Sequence, residues 1–139
     1  MADIAIGVRG FLLSKSVITD LVGQRIYTDA LPQSATLPAI VMEKLYTQHE
    51  HELSNLAGLA HARLQFSCFA ATRLVSNSVA EAIRTSGVVT QKGSTSDVDI
   101  RGVRVEEGMS YQDDPPTDGS DERRYVSVID LMVDFTETV

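Results

Sequence analysis

The sequence has 139 residues, 43% of them apolar and 22% charged, and acidic residues outnumber basic ones 19 to 12 for a net charge of −7. That length makes one ordinary domain, over 1–139, which can bury a core without disulfide or metal. No apolar run approaches the roughly 18 residues that span a membrane, and the acidic balance argues against tight nucleic-acid binding as the main task.

The first segment, "MADIAIGVRGFLLSKS", lacks the basic start and small-residue cleavage site of a secretory signal, so synthesis in the cytosol is expected. Residues 3–14 read as a helix: Asp3 can cap it, and Ile4, Val8, Phe11 and Leu12 share one face. "SVITDLVG" gives a second, short helical stretch on Val17, Ile18 and Leu21, stopped by Gly23. "RIYTDALPQSATLP" contains two prolines and reads as an extended connector.

From Ala39 to about Glu52 the chain favours a strand, followed by a turn-rich break, "SNLAGLA". "ARLQFSCFA" then alternates, with Leu64, Phe66 and Cys68 on one side and Arg63, Gln65 and Ser67 on the other. The two strands form a β-hairpin. Thr72 can cap a helix running to Ser86 and closed by Gly87, with Val75, Val79, Ala82 and Ile83 as its apolar stripe. "TQKGSTSD" reads as a loop, and "VDIRGVRVEE" as a strand whose alternation changes side at Gly102, the mark of a bulge. A proline-containing acidic loop follows, and "YVSVIDLMVDFTE" closes the chain as a strand with Ser127, Ile129, Leu131, Val133 and Phe135 on one face. The fold expected is α+β: a single antiparallel β-sheet of about four main strands with two helices packed on one face.

The segment "QHEHELSNLAGLAHARLQFSCFA" concentrates His49, His51, His61, Glu50, Glu52 and Cys68. On a strand His49 and His51 share one face, and, depending on register, His61 can sit beside His51 across the hairpin, where three imidazoles would offer a zinc-like triad. The three lie where the apolar pattern has faded, and nothing supplies the shielded second layer that orients metal-bound imidazoles. A solvated hairpin arm without metal is therefore expected. Cys68 alternates with Leu64 and Phe66 and reads as a small core residue. No nucleophile elbow, phosphate loop or dinucleotide fingerprint is present in the sequence, and Glu81 with Arg84 is an ordinary helix-surface pair. The acidic loop lacks the regular spacing of a calcium loop. No enzyme activity and no cofactor are expected.

Taken in order, "LVGQRIYTD", Leu37-Pro38 opening the first long strand, "ARLQFSCFAAT" running into a helix, and the terminal "YVSVIDLMVDF" resemble a known family. It is the tail-completion, or tail-terminator, proteins of long-tailed (siphovirus-type) bacteriophages and prophages. The His49–Glu52 arm and the charge-rich acidic loop depart from the family pattern. The resemblance implies a virion structural protein at the head-proximal end of the tail. Such proteins form a ring, usually six-fold, that caps the tail tube, stops its polymerisation and joins the tail to the head connector. The implied partners are other copies of the chain, in a homo-hexamer, the tail tube protein and a head-closure or connector protein. DNA passes through the lumen without specific binding, and no membrane is involved.

Interface or lumen candidates under that reading are Asp113, Asp114, Asp118, Asp121 and Glu122 of the acidic loop, His49 and His51 of the arm, and Asp130 and Asp134 on the last strand. An acidic lumen lets DNA slide, because like charges deny it phosphate contacts. Within the same class the alternatives are a head-closure protein or a tail-tube subunit. From another class, a small α+β ligand-binding protein would need a concave apolar pocket with converging polar groups.

Overall fold

The structure, a computed structural model, describes residues 4–28, 30–32, 36–51, 56–85, 93–95, 98–113 and 124–137. Two helices open the chain, α1 (Ile4–Leu13) and α2 (Ser16–Val22). Val8 and Leu12, one turn apart, are fully buried. In α2 it is Ile18 and Val22 that reach the core, whereas Val17, expected there, is 53% exposed. Gly23 ends α2 at φ 60 and ψ −126, with its N–H bonded to the Thr19 carbonyl at 2.8 Å. That backbone region is open to glycine and strained for residues with a Cβ.

The stretch expected to be a plain connector holds a strand, β1 (Ile26–Thr28), which pairs in parallel with the next strand, β2 (Ala39–His51). Arg9 Nε donates to the Ile26 carbonyl at 2.8 Å and Arg25 Nε to the Pro38 carbonyl at 2.9 Å, so two guanidinium groups tie this region to the helices and to the start of β2. The Leu37–Pro38 bond is cis. β3 (Leu56–Ala70) begins earlier than expected and takes in Gly58, leaving a shorter break in the hairpin. α3 (Arg73–Thr85) is capped by Thr72, whose Oγ1 accepts from the Val75 N–H at 3.3 Å.

The segment expected to be a polar loop contains β4 (Gly93–Thr95). β5 (Val98–Asp113) runs beyond the expected strand into the acidic segment, and β6 (Arg124–Glu137) ends the described chain. The sheet order is β1-β2-β3-β6-β5-β4, and every pairing except β1 with β2 is antiparallel. The class is α+β, as expected, but the sheet is mixed, and it is wider by two three-residue outer strands. Three residues show too little alternation to register as a strand in a sequence.

The three helices and one face of the sheet share a single core cluster. β2 contributes Ile40 and Met42, β3 contributes Ala60, Ala62, Leu64, Phe66 and Cys68, and β6 contributes Ile129, Leu131, Val133 and Phe135. Each large apolar side chain buried there stabilises the fold by about 1.5–3 kcal/mol. Ser127, also on this face, donates to Asn77 Oδ1 at 2.5 Å and lies 3.0 Å from Ser76 Oγ at hydrogen-bond distance, which pins α3 to β6 through a buried polar contact.

β3 and β6 pair without interruption from Leu59↔Thr136 to Ala70↔Tyr125. The irregularities fall on the outer long strands: between Lys44 and Tyr46 and between His49 and His51 on β2, and between Ile100 and Gly102 and between Val105 and Glu107 on β5. The bulge expected at Gly102 is the first of the β5 pair.

Candidate assembly surfaces

Strand alternation places the odd-numbered residues of β3 and the even-numbered residues of β6 on the face away from the helices. Toward one end this face is apolar, where Ala39, Val41, Val126 and Val128 are buried outside the main core cluster. There Arg124 stacks over the Phe69 ring at 5.6 Å. Toward the other end it becomes a strip of charged side chains in mutual contact.

The register builds that strip. Arg63 lies opposite Met132 on β6, and Asp130 opposite Gln65 on β3, so Arg63 reaches Asp130 diagonally. Its Nε and Nη2 both bond Asp130 Oδ2, at 3.1 and 2.7 Å. The hydrogen bond to Asp130 raises the Arg63 pKa above its ordinary value, and Asp130 is only 6% exposed. Two residues along from the Arg63–Met132 pair, His61 faces Asp134 directly, with Nδ1 and Oδ1 2.5 Å apart. Arg104 of β5 lies opposite Met132, and its Nη2 reaches the same Asp134 oxygen at 3.7 Å.

Asp130 and Asp134, two of the lumen candidates, are therefore held by cationic or proton-donating partners on β3 and β5 instead of standing as free carboxylates. Alternation put Arg63, Asp130 and Asp134 on one face. Their pairing depends on the β3–β6 register, which no turn fixes because the two strands are separated by α3, β4 and β5.

The register decides the conditional placement of the histidines. His61 lies across from Gln48, His49 from Ala60 and His51 from Leu56, with a register shift between His49 and His51. An irregularity there breaks the two-residue alternation, so His61 is not placed beside His51, and its partner is Asp134 on the opposite neighbouring strand. Among the described residues, no three His, Cys, Asp or Glu side chains gather as a metal would require. His49 and His51 lie on β2 at the far end of the hairpin. Asp113 ends β5, paired with Arg124. Asp114, Asp118, Asp121 and Glu122 lie outside the described residues.

Cys68 is fully buried, and burial pushes its thiol well above the ordinary range, so it is a core residue. Glu81 and Arg84 pair at 2.7 Å on the exposed face of α3, and the hydrogen bond from Arg84 lowers the Glu81 pKa.

A family model described as "Tail completion protein gp17" matches residues 7–107. Among solved structures, the chain is similar to one from the virion of a native gene transfer agent particle. The TM-score is 0.61 at 15% identity, over 96% of this chain and 93% of that one. Among curated proteins the sequence finds no match.

Proposed function

We propose, from the premise that the chain belongs to the tail completion protein gp17 family, that this phage tail structural protein is a terminator. In this reading its copies form a ring, usually six-fold in such proteins, which closes the finished tail tube and carries the joint to the head. Its partners are the tail tube protein below and a head-closure or connector protein above, and its place is the head-proximal end of the tail.

The observation that carries the reading is the polar strip on the helix-free face. A channel through which DNA leaves must not hold it, and DNA is held by cations that find phosphates. On this face Arg63 is bound to Asp130, and Arg104 reaches Asp134 together with His61. Positive charge is thus matched by carboxylate across three adjacent strands, while the chain as a whole carries −7. With Asp130 and Asp134 engaged in this way, the repelling excess of a lumen would come from elsewhere. The acidic segment Asp113, Asp114, Asp118, Asp121 and Glu122 is the densest source, and His49 and His51 mark the arm that reaches toward a neighbouring copy or the tube.

A tail-tube subunit and a terminator differ in where assembly stops, so the test is assembly itself. Purified protein is added to tail tubes that lack their terminator, and tube length is followed in the presence of excess tube protein. A terminator adds one ring at one tube end and halts growth there. Continued growth, or incorporation along the tube, identifies a tube subunit instead, and failure to bind the tube end assigns the chain to another neck position.

A further inference from the structure

Among the described residues, two long stretches of the sheet's outer strands have no strand paired beyond them. β1 covers β2 only from Ile40 to Met42, and β4 covers β5 only from Val98 to Ile100. Among the described residues, β2 beyond Met42 and β5 beyond Ile100 therefore have a paired strand on one side only. A free edge exposes unpaired N–H and C=O groups, and a chain that keeps two of them must shield them or use them. We propose that the outer edge of β2 in one copy pairs with the outer edge of β5 in the next, so that the sheet runs continuously from copy to copy. This rests on the ring reading and specifies its subunit contact.

Three observations carry it. The first is polarity. β2, β3, β6 and β5 alternate in direction through three antiparallel pairings, so β2 and β5 run oppositely. When copies are related by rotation about an axis along the strands, the β2 edge of each meets the β5 edge of its neighbour in the antiparallel sense, with no reversal of the subunit. Such head-to-tail contacts join two different surfaces, and a closed ring leaves no edge free. A two-fold dimer would pair an edge with itself and leave the other exposed.

The second is where apolar surface is left uncovered. Leu45 and Tyr46 on β2 are each 45% exposed and Val105 on β5 is 36% exposed. The other large apolar side chains exposed among the described residues, Val17 and Leu74, lie on helices. On the sheet, the large apolar side chains exposed among the described residues thus lie on β2 and β5.

The third is the bulges. They sit at these same places, with Leu45 as the extra residue between Lys44 and Tyr46 and Glu106 between Val105 and Glu107. A bulge bends an edge and denies it to a generic straight strand. Two edges that are both bent can accept each other and little else, which suits a contact that must close once and stop.

The test measures native mass and amide hydrogen exchange on the same samples, with variants Leu45→Lys, Val105→Lys and Leu74→Lys. In the closed species, amides in 43–48 and 101–107 should exchange about 100-fold or more slowly than in the monomer. Leu45→Lys and Val105→Lys should each abolish the closed species while the monomer keeps its melting temperature. Leu74→Lys, on α3, should leave the closed species intact. A closed species whose two edges exchange as fast as the monomer's, or that survives both edge variants, overturns the edge contact and leaves the ring standing. A chain that remains monomeric both in solution and on tube ends overturns the ring, and the edge contact with it.

Discussion

Arg63 aims Nε and Nη2 at a single oxygen of Asp130, while the other oxygen, Oδ1, is buried without a hydrogen-bond partner among the described residues. The carboxylate therefore depends on one guanidinium group. Removing that group strands a buried charge, whereas removing both groups and filling the space with apolar atoms does not.

Arg63→Met should therefore lower the urea midpoint of unfolding, and Arg63→Met combined with Asp130→Leu should recover more than half of the loss. Equilibrium denaturation of the wild type, both single variants and the double variant measures this as a non-additive cycle. Additive effects would mean that the two side chains do not depend on each other.

Gly23 holds φ 60 at the end of α2, and a Cβ there would also come within 3.4 Å of the Arg25 guanidinium. Gly23→Ala should cost about 1–3 kcal/mol, mostly as backbone strain. Thermal unfolding checks it, and Gln24→Ala, at an exposed neighbour, should stay within about 0.5 kcal/mol of the wild type.

Phe66 is fully buried at the centre of β3, whereas Leu74 on α3 is 78% exposed. Phe66→Ala should cost about 3–5 kcal/mol through lost transfer energy and the cavity left behind. Leu74→Ala should change stability by less than about 0.5 kcal/mol. Comparable losses would place Leu74 in a contact that the isolated chain does not show.

Cys68 is sealed in the core and its thiol pKa is pushed up by burial. The folded protein should resist a thiol-specific reagent at pH 8, and label fully in denaturant. Rapid labelling without denaturant would mean that the β3 core opens readily, since reaction needs an exposed thiolate.

These contrasts also show what the sequence made legible. β3 and β6 were readable because each is half buried over a long run, so Leu64, Phe66 and Cys68, or Ile129, Leu131 and Val133, repeat at every second position. β1 and β4 were not, since three residues carry too little pattern. β1 also owes its place to parallel pairing with a strand more than ten residues away. The placement of the histidines was left open by the sequence for a related reason. Strict alternation would group His49 with His51, but the chain is irregular between them, and a one-residue shift changes which face a side chain meets.

The candidate surface divides in the same way. Asp130 and Asp134 were found as polar positions on an apolar strand, which is a local signal. That Arg63, His61 and Arg104 hold them is a property of register between strands far apart in the chain. The polar contact of Ser127 with Ser76 and Asn77 was missed because a serine in an apolar stripe has no distinct signature until the facing helix is known.

If copies of this chain close into one ring and stop, the native mass of the protein shows it. Each subunit is 15.1 kDa and acidic, so the mass should be measured with and without millimolar magnesium to offset self-repulsion. Ring closure should give one discrete species of about six subunits, roughly 90 kDa, favoured by magnesium or a tube end. A strict dimer in both conditions, or a polymer that grows without limit, would contradict it.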